Sequence, residues 1–356
     1  MAETKEEMKE EYSKYTYRKV IFILVCIGLV FLMFFVSLCV GTRELTVAEV
    51  YNLFFKHITG YEFTDPKEKF DDNIVWNFRV PRAIFAIVAG VALSIGGAVM
   101  QSVMKNPLAD PYTTGVSSGA LFGVAIAMIL GLSAGGYTGW PITFNAILFS
   151  MIPILLIVVM APMFRKSPAT LILAGVAISY IFNSLTSLLM ISTDAANLSM
   201  VYKWQVGDLA DLTWDVFPLS TGMTLVGLAI LLPLAGKLNL MSLDDKDAKA
   251  LGLNIENFRI LCLVVLGLMT SVIISYVGII GFVGLVVPHM VRIVLGADNK
   301  YLLPAAGAFG GVFLLGCDII SRALDIGAVI PVGVITSAIG APIFLYLIIR
   351  QRRSVW

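Results

Sequence analysis

Apolar residues fill this chain in runs long enough to cross a bilayer, and polar residues interrupt the runs at intervals. About 20 helical residues, rising 1.5 Å each, span the roughly 30 Å of hydrocarbon. Runs of that kind cover about 20 to 40, 83 to 104, 113 to 131, 142 to 163, 169 to 191, 214 to 236, 258 to 279, 281 to 296, 303 to 324 and 331 to 350. The pattern therefore predicts ten spans, with the narrowest division between Gly278 and Gly284. A charged tail, Met1 to Lys19, precedes the first run, and no small-residue cleavage site follows it. The first run reads as a retained helix instead of a removed signal peptide. The domain reading is a tail over 1–19 and one transmembrane domain over 20–356, with a long loop at 41–82 and a polar segment at 237–257.

Composition agrees with the pattern. With 58% hydrophobic residues, 14% charged residues and a mean hydropathy of +0.89, the chain is too apolar for a soluble domain, where about 25% of residues are charged. A net charge of +1, without a basic stripe interleaved with aromatics, excludes a nucleic-acid partner. Cys26, Cys39, Cys262 and Cys317 each lie in an apolar run without C-x-x-C spacing, as buried small hydrophobes do. With both termini on one side, that side collects 17 Lys and Arg and the other 8, most of them on the loop 41–82. The positive-inside rule then places the termini and the 237–257 segment in the cytoplasm.

Few ionisable groups fall at membrane depth, where each costs roughly 2.5 to 3.5 kcal/mol on insertion scales. They are Arg79 and Arg82 before the second run, His289 and Arg292 in the eighth, and Asp318, Arg322 and Asp325 in the ninth. Asp318 and Arg322 stand four apart and share a helix face, as a neutralising pair would. An ion-coupled secondary transporter using Asp318, Arg322 and His289 is the alternative reading. His289 and His57 are far apart in sequence and suggest no metal cluster. The chain carries no Gly-rich phosphate loop, and Gly115-Val116-Ser117-Ser118-Gly119 mimics a nucleophile elbow only in spacing, inside an apolar helix. No enzyme is expected. Gly96 and Gly97, Gly115 and Gly119, and Gly307 and Gly311 suit close helix packing.

Three blocks carry more. The first is Arg79-Val80-Pro81-Arg82 leading to Lys105-Asn106-Pro107-Leu108-Ala109-Asp110-Pro111. The second is the cassette Leu243-Asp244-Asp245-Lys246-Asp247-Ala248-Lys249-Ala250-Leu251-Gly252. The third is Gly281-Phe282-Val283-Gly284-Leu285-Val286-Val287-Pro288-His289-Met290-Val291-Arg292, with Pro331-Val332-Gly333 beyond it. In this order they closely resemble the permease subunits of the iron-siderophore, haem and vitamin B12 family of ABC importers, from about residue 41 onward. The resemblance implies an all-α membrane protein of about ten transmembrane helices with the type II ABC importer permease fold. It also implies a homodimer, two cytoplasmic ATPase subunits that use ATP and Mg, and one external substrate-binding protein. The chain itself would bind no cofactor, and it would reside in a bacterial or archaeal plasma membrane.

Residue by residue, the resemblance makes Asp245, Ala248, Leu251 and Gly252 the contact to the ATPase, through the family's Ala-x-x-Leu-Gly pattern. Asp244 departs from the glycine often found there, which puts the turn's geometry in question. Arg79, Arg82 and Arg322 would receive acidic residues of the binding protein. Val329 and Ile330 replace the family's Glu-Leu before Pro331, leaving Asp325 as the nearest partner for Arg322. Asn106 and Leu108, with Pro168 and Ala169 in the turn Ser167-Pro168-Ala169-Thr170, would narrow the cytoplasmic exit. The cargo would be a ferric siderophore, haem or cobalamin.

Overall fold

The computed structural model describes residues 5–132, 139–160, 168–324 and 330–351, and among them every regular element is helical. In chain order these are α1 (Lys5–Cys39), α2 (Val47–Ile58), α3 (Pro66–Ile74), α4 (Val80–Val103) and α5 (Val116–Leu130). There follow α6 (Gly139–Met160), α7 (Pro168–Ile191), α8 (Ala195–Val206), α9 (Phe217–Leu231), α10 (Ala235–Leu240) and α11 (Asp245–Ala250). The last are α12 (Ile255–Val277), α13 (Val283–Leu295), α14 (Asn299–Ala323) and α15 (Val332–Gln351).

The segments containing α1, α4, α6, α7, α9, α12, α14 and α15 are long and apolar enough to cross a bilayer, and α5 and α13 are shorter apolar helices. These ten correspond to the ten predicted runs. At 13 residues α13 reaches only about 20 Å, so the rest of its crossing falls to irregular backbone. Such backbone is tolerated at membrane depth only when protein covers it. The stretch from Val277 to Ile280 is largely buried, as are Ala109, Asp110 and Pro111 before α5.

Helix α4 is the most enclosed span and α1 the least. Backbone meets backbone along α4 in place of side chains. A Cβ on Gly90 would strike the Gly310 carbonyl of α14, and Ser94 lies against Gly310 one turn further on. A Cβ on Gly97 would strike the Gly284 carbonyl of α13. That carbonyl lacks its usual helical donor, because Pro288 four residues later has no N–H. The Gly97 backbone fills the position, in a close C–H to carbonyl approach. Gly97→Ala is therefore expected to destabilise the fold by more than the roughly 1–3 kcal/mol typical of overpacking, read as a loss of folded yield in detergent, while Gly28→Ala, with open space at its Cβ, leaves the yield unchanged.

Two boundaries differ from the sequence reading, the first because α1 begins at Lys5, within the tail read over 1–19. The span expected from about 83 is the C-terminal part of a continuous helical stretch from Pro66 to Val103. The polar residues 66–82 keep the helix going beyond the apolar run. Within it, Val75–Arg79 form a π-helical turn between α3 and α4. One extra residue in a 3.6-residue turn rotates the rest of the helix by about 100°, and that rotation sets where Arg79 and Arg82 point.

Candidate functional site

The last carbonyls of any helix lack intrahelical donors and carry the negative end of its dipole. Helix α1 has no basic residue in its own last turn. Two arginines from elsewhere supply the donors. Arg79 donates from Nη1 to the Leu38 carbonyl at 2.7 Å and from Nη2 to the Arg43 carbonyl at 2.5 Å. Arg322 donates from Nη1 to the Ser37 and Val40 carbonyls at 2.9 and 2.6 Å, and from Nη2 to Ser37 Oγ at 2.5 Å. The least enclosed span is thus fastened at its end to α4 and α14.

The same arginines converge with Arg82. Asp318, at 0% exposure, accepts from Arg82 Nε through Oδ1 and from Arg322 Nη2 through Oδ2, both at 2.7 Å. The expected pair of Asp318 and Arg322 is therefore a triad joining α4 to α14. Asp325 and Val329 lie outside the described residues, and Arg322 has its carboxylate partner in Asp318. Arg43, Arg79, Arg82 and Arg322 line one cavity of about 140 Å³, with Gly41 and Phe78 among its walls. The carboxylates paired with these four guanidinium groups are Asp71 on Arg43, Asp318, and Asp208 at 3.9 Å from Arg82. Among the described residues one positive charge is left over. Arg82 Nη2 and Arg322 Nε are buried without a hydrogen-bond partner among the described residues. All three arginines singled out in the sequence meet here, in a recess and not on an open surface.

The cassette lies at the other end of α4. Helix α11 closes with Leu251 as C-cap and Gly252 at φ +86°, a left-handed position that favours glycine. The Leu253 N–H donates to the Ala248 carbonyl at 3.1 Å, and the Gly252 N–H to the Lys249 carbonyl at 2.9 Å. These two bonds make a Schellman cap, and buried Ala248 and Leu253 supply the accompanying apolar pair. The Ala-x-x-Leu-Gly spacing is the sequence of that cap. It turns Leu251 outward, at 62% exposure. Asp244 is extended at φ −60° and ψ 147°, a conformation open to any residue, so it fits where glycine was expected.

Two ties fix this segment to α4. Lys105, just past α4, donates from Nζ to the Leu243 carbonyl at 2.6 Å and to Asp245 Oδ1 at 2.8 Å. The Lys105 hydrogen bond holds the Asp245 carboxyl below the usual carboxylate range. The second tie runs from Ser102 Oγ to Asn299 Oδ1 at 3.0 Å, and from Asn299 Nδ2 to Asn239 Oδ1 at 2.9 Å. Sequence reasoning missed Lys105, Ser37, Asn239 and Asn299. Only Lys105, beside Asn106 in the first block, stood where attention could have found it.

In the stretch between α4 and α5, Asn106 Oδ1 accepts from the Leu108 N–H at 2.9 Å and Leu108 is exposed. Pro168 and Ala169 open α7, while Ser167 lies outside the described residues. Seven residues into α7, a Cβ on Gly175 would strike the Thr113 carbonyl, so the two segments share a neighbourhood. His289 is buried, its ring T-shaped against that of Phe344. A cavity of about 570 Å³ is lined by Gln205, Val206, Ile279, Val334 and Ser337 among others, all uncharged.

Known proteins share both the sequence pattern and the fold. The FecCD transport family matches residues 28–350. An ABC transporter permease protein of Methanocaldococcus jannaschii is 37% identical, over 98% of this chain and 100% of its own. A hemin transport system permease of Yersinia pestis is 34% identical over 79% and 84%. A molybdate import system permease of Haemophilus influenzae is 33% identical over 90% and 92%. Among solved structures, a metal-chelate type ABC transporter in an inward-facing conformation superposes with a TM-score of 0.80 at 30% identity, over 92% of this chain and 98% of that one.

Proposed function

The chain belongs to the FecCD transport family, and from that premise we propose that it is the membrane subunit of an importer for an iron chelate, haem or cobalamin, driven by a separate ATPase. The observation that carries the reading is the Schellman-capped segment that sets Leu251 outward at one end of α4, opposite the arginine pocket. A short, rigidly ended helix is suited to sit in a groove on a partner and pass on its movement. In this reading Asp245, Ala248, Leu251 and Gly252 form the ATPase contact on the cytoplasmic face, with both termini. Two ATPase subunits serve a dimer of the chain, and they bind the ATP and Mg.

On the outer face, one binding protein docks by placing acidic side chains at the arginine pocket. The surplus positive charge among the described residues, and the N–H groups of Arg82 Nη2 and Arg322 Nε that make no hydrogen bond there, support this. A carboxylate there would form charge-assisted bonds that fix orientation more than they add affinity. Asn106, Leu108, Pro168 and Ala169 form the exit gate. For the cargo, the hemin-permease and metal-chelate relatives agree with a large chelate. The uncharged lining of the 570 Å³ cavity also suits a bulky chelate better than the compact oxyanion of the molybdate relative.

Gly252→Val tests the coupling. A Cβ at residue 252 meets nothing of this chain within 4 Å, so within the chain the substitution strains the left-handed turn, at a cost of about 1–2 kcal/mol. In reconstituted membranes with the ATPase and binding protein, substrate-stimulated ATP hydrolysis is expected to continue while uptake per ATP falls. An unchanged ratio would remove the cassette from the coupling path.

A further inference from the structure

Helix α2 has two apolar faces. Val50, Leu53 and Phe54 are buried against α1 and α4, in a cluster with Leu38, Val75 and Val80. A second stripe, Val47, Tyr51, Phe55 and Ile58, recurs at steps of four, four and three. Val47, Phe55 and Ile58 are 57%, 58% and 57% exposed. Glu49, Asn52 and Lys56 occupy the remaining side. The helix is fixed in place: Thr46 and Glu49 form a reciprocal capping box at its start, and Trp76 packs on Phe54 and on His57.

The depth of α2 is set by α1. Tyr51 Oη donates to the Phe35 carbonyl at 3.3 Å, and the rings of Tyr51 and Phe54 lie 6.0 and 6.2 Å from that of Phe35. Phe35 is four residues short of the end of α1 at Cys39, about 6 Å along the axis. Helix α2 therefore lies level with the last turn of a membrane span, not above it. Beside it, Phe31, Leu32 and Val36 of α1 are exposed on the least enclosed span, where lipid is the neighbour.

We propose that α2 lies in the bilayer interface, with Val47, Tyr51, Phe55 and Ile58 among the acyl chains and glycerol groups and Glu49, Asn52 and Lys56 towards water. An amphipathic helix with aromatic residues on its apolar stripe partitions to that zone. Its occupant is the lipid surface, continuous with the lipid-facing side of α1. Lys56 is paired with Glu68, and Glu49 lies on the same helix, so contact follows from the apolar stripe and not from headgroup charge. This anchors the wall of the arginine pocket: Arg43, Ile74 and Phe78, which line it, follow α1 or end the same small module.

The test places a nitroxide by Phe55→Cys, Ile58→Cys or Asn52→Cys, in the full chain with its four native cysteines replaced, in lipid nanodiscs. Collision with oxygen, which concentrates in acyl chains, is compared with collision with a water-soluble nickel chelate. Positions 55 and 58 should favour oxygen several-fold more than position 52, equally in zwitterionic and anionic discs. Nickel access at 55 and 58 equal to that at 52 would overturn the proposal in favour of a water-facing stripe. Shielding from both agents would overturn it in favour of a protein partner, either the binding protein or a second copy. An oxygen preference confined to anionic discs would overturn the charge-independent contact. None of these results depends on the ATPase coupling.

Discussion

Asp318→Asn is expected to cost about 3–5 kcal/mol, the scale for removing one partner of a buried ion pair, and to show as a sharp fall in thermal stability in detergent. The side chain keeps its shape, but Arg82 and Arg322 lose the carboxylate that each meets at 2.7 Å. Arg82 keeps only Asp208, at 3.9 Å, and the pocket's surplus charge rises. The damage should spread to α1, because Arg322 also supplies donors to Ser37 and Val40. Adding Arg82→Gln, which removes the second buried charge while leaving the bonds of Arg322 to Ser37 and Val40 in place, should recover part of the lost stability, since a buried pair costs less to remove than to break. Binding-protein docking should not recover with it. Stability of Asp318→Asn equal to that of the native chain would show that the triad does not hold α4 to α14.

The ten spans were legible because the membrane imposes a length that any sufficiently long apolar run declares. The shorter helices were not, for three different reasons. Helix α2 carries a clear apolar stripe, but the charged residues around it in 41–82 made that stretch read as a loop between spans. Helix α8, in what read as a connection between spans, is only 12 residues long. The π turn at Val75–Arg79 changes no residue type and so leaves no sequence signal. Close packing was half legible: Gly97 was singled out, while the neighbouring contact falls on Gly310, next to the expected Gly311.

The site divides in the same way. Ala248, Leu251 and Gly252 came from the resemblance to the family's Ala-x-x-Leu-Gly pattern, and its physical content is a Schellman cap, which needs a left-handed residue at a fixed offset from an apolar one. The arginines could be found but not placed. Their acceptors are mostly carbonyls at the end of α1, and a carbonyl belongs to every residue alike. A sequence shows that a helix end needs donors without showing which distant side chain brings them.

Lys105→Met is expected to leave the fold intact and to cut uptake per ATP. Both side chains of the Lys105–Asp245 pair are partly exposed, so their loss should cost stability only about 0.2–1 kcal/mol. Their position gives them a larger part in transmission. Lys105 stands at φ 49°, an unfavourable region for a residue with a side chain. It joins the Leu243 carbonyl and Asp245 on one side to the Asn106–Leu108 turn on the other. In the proposed reading, force on α11 would thereby reach the C-terminal end of α4 and the turn proposed as the exit gate. A lost coupling free energy of about 1–3 kcal/mol corresponds to about 5–150-fold, read as uptake per ATP hydrolysed. Asp245→Asn should do less, since Lys105 keeps its bond to the Leu243 carbonyl. Lys105→Arg, or the exchange of Lys105→Asp with Asp245→Lys, should restore part of the ratio, which a purely structural role for the lysine would not produce. The sign of the pH dependence comes from the lowered pKa of Asp245. The ion pair is fully present above the ordinary carboxylate range and is lost as pH falls through the lowered value, so coupling should be flat around neutrality. If Lys105→Met kept the native ratio while Gly252→Val lost it, the cassette would act on the bundle by another route, and the tie through Asn239, Asn299 and Ser102 would be the next to cut.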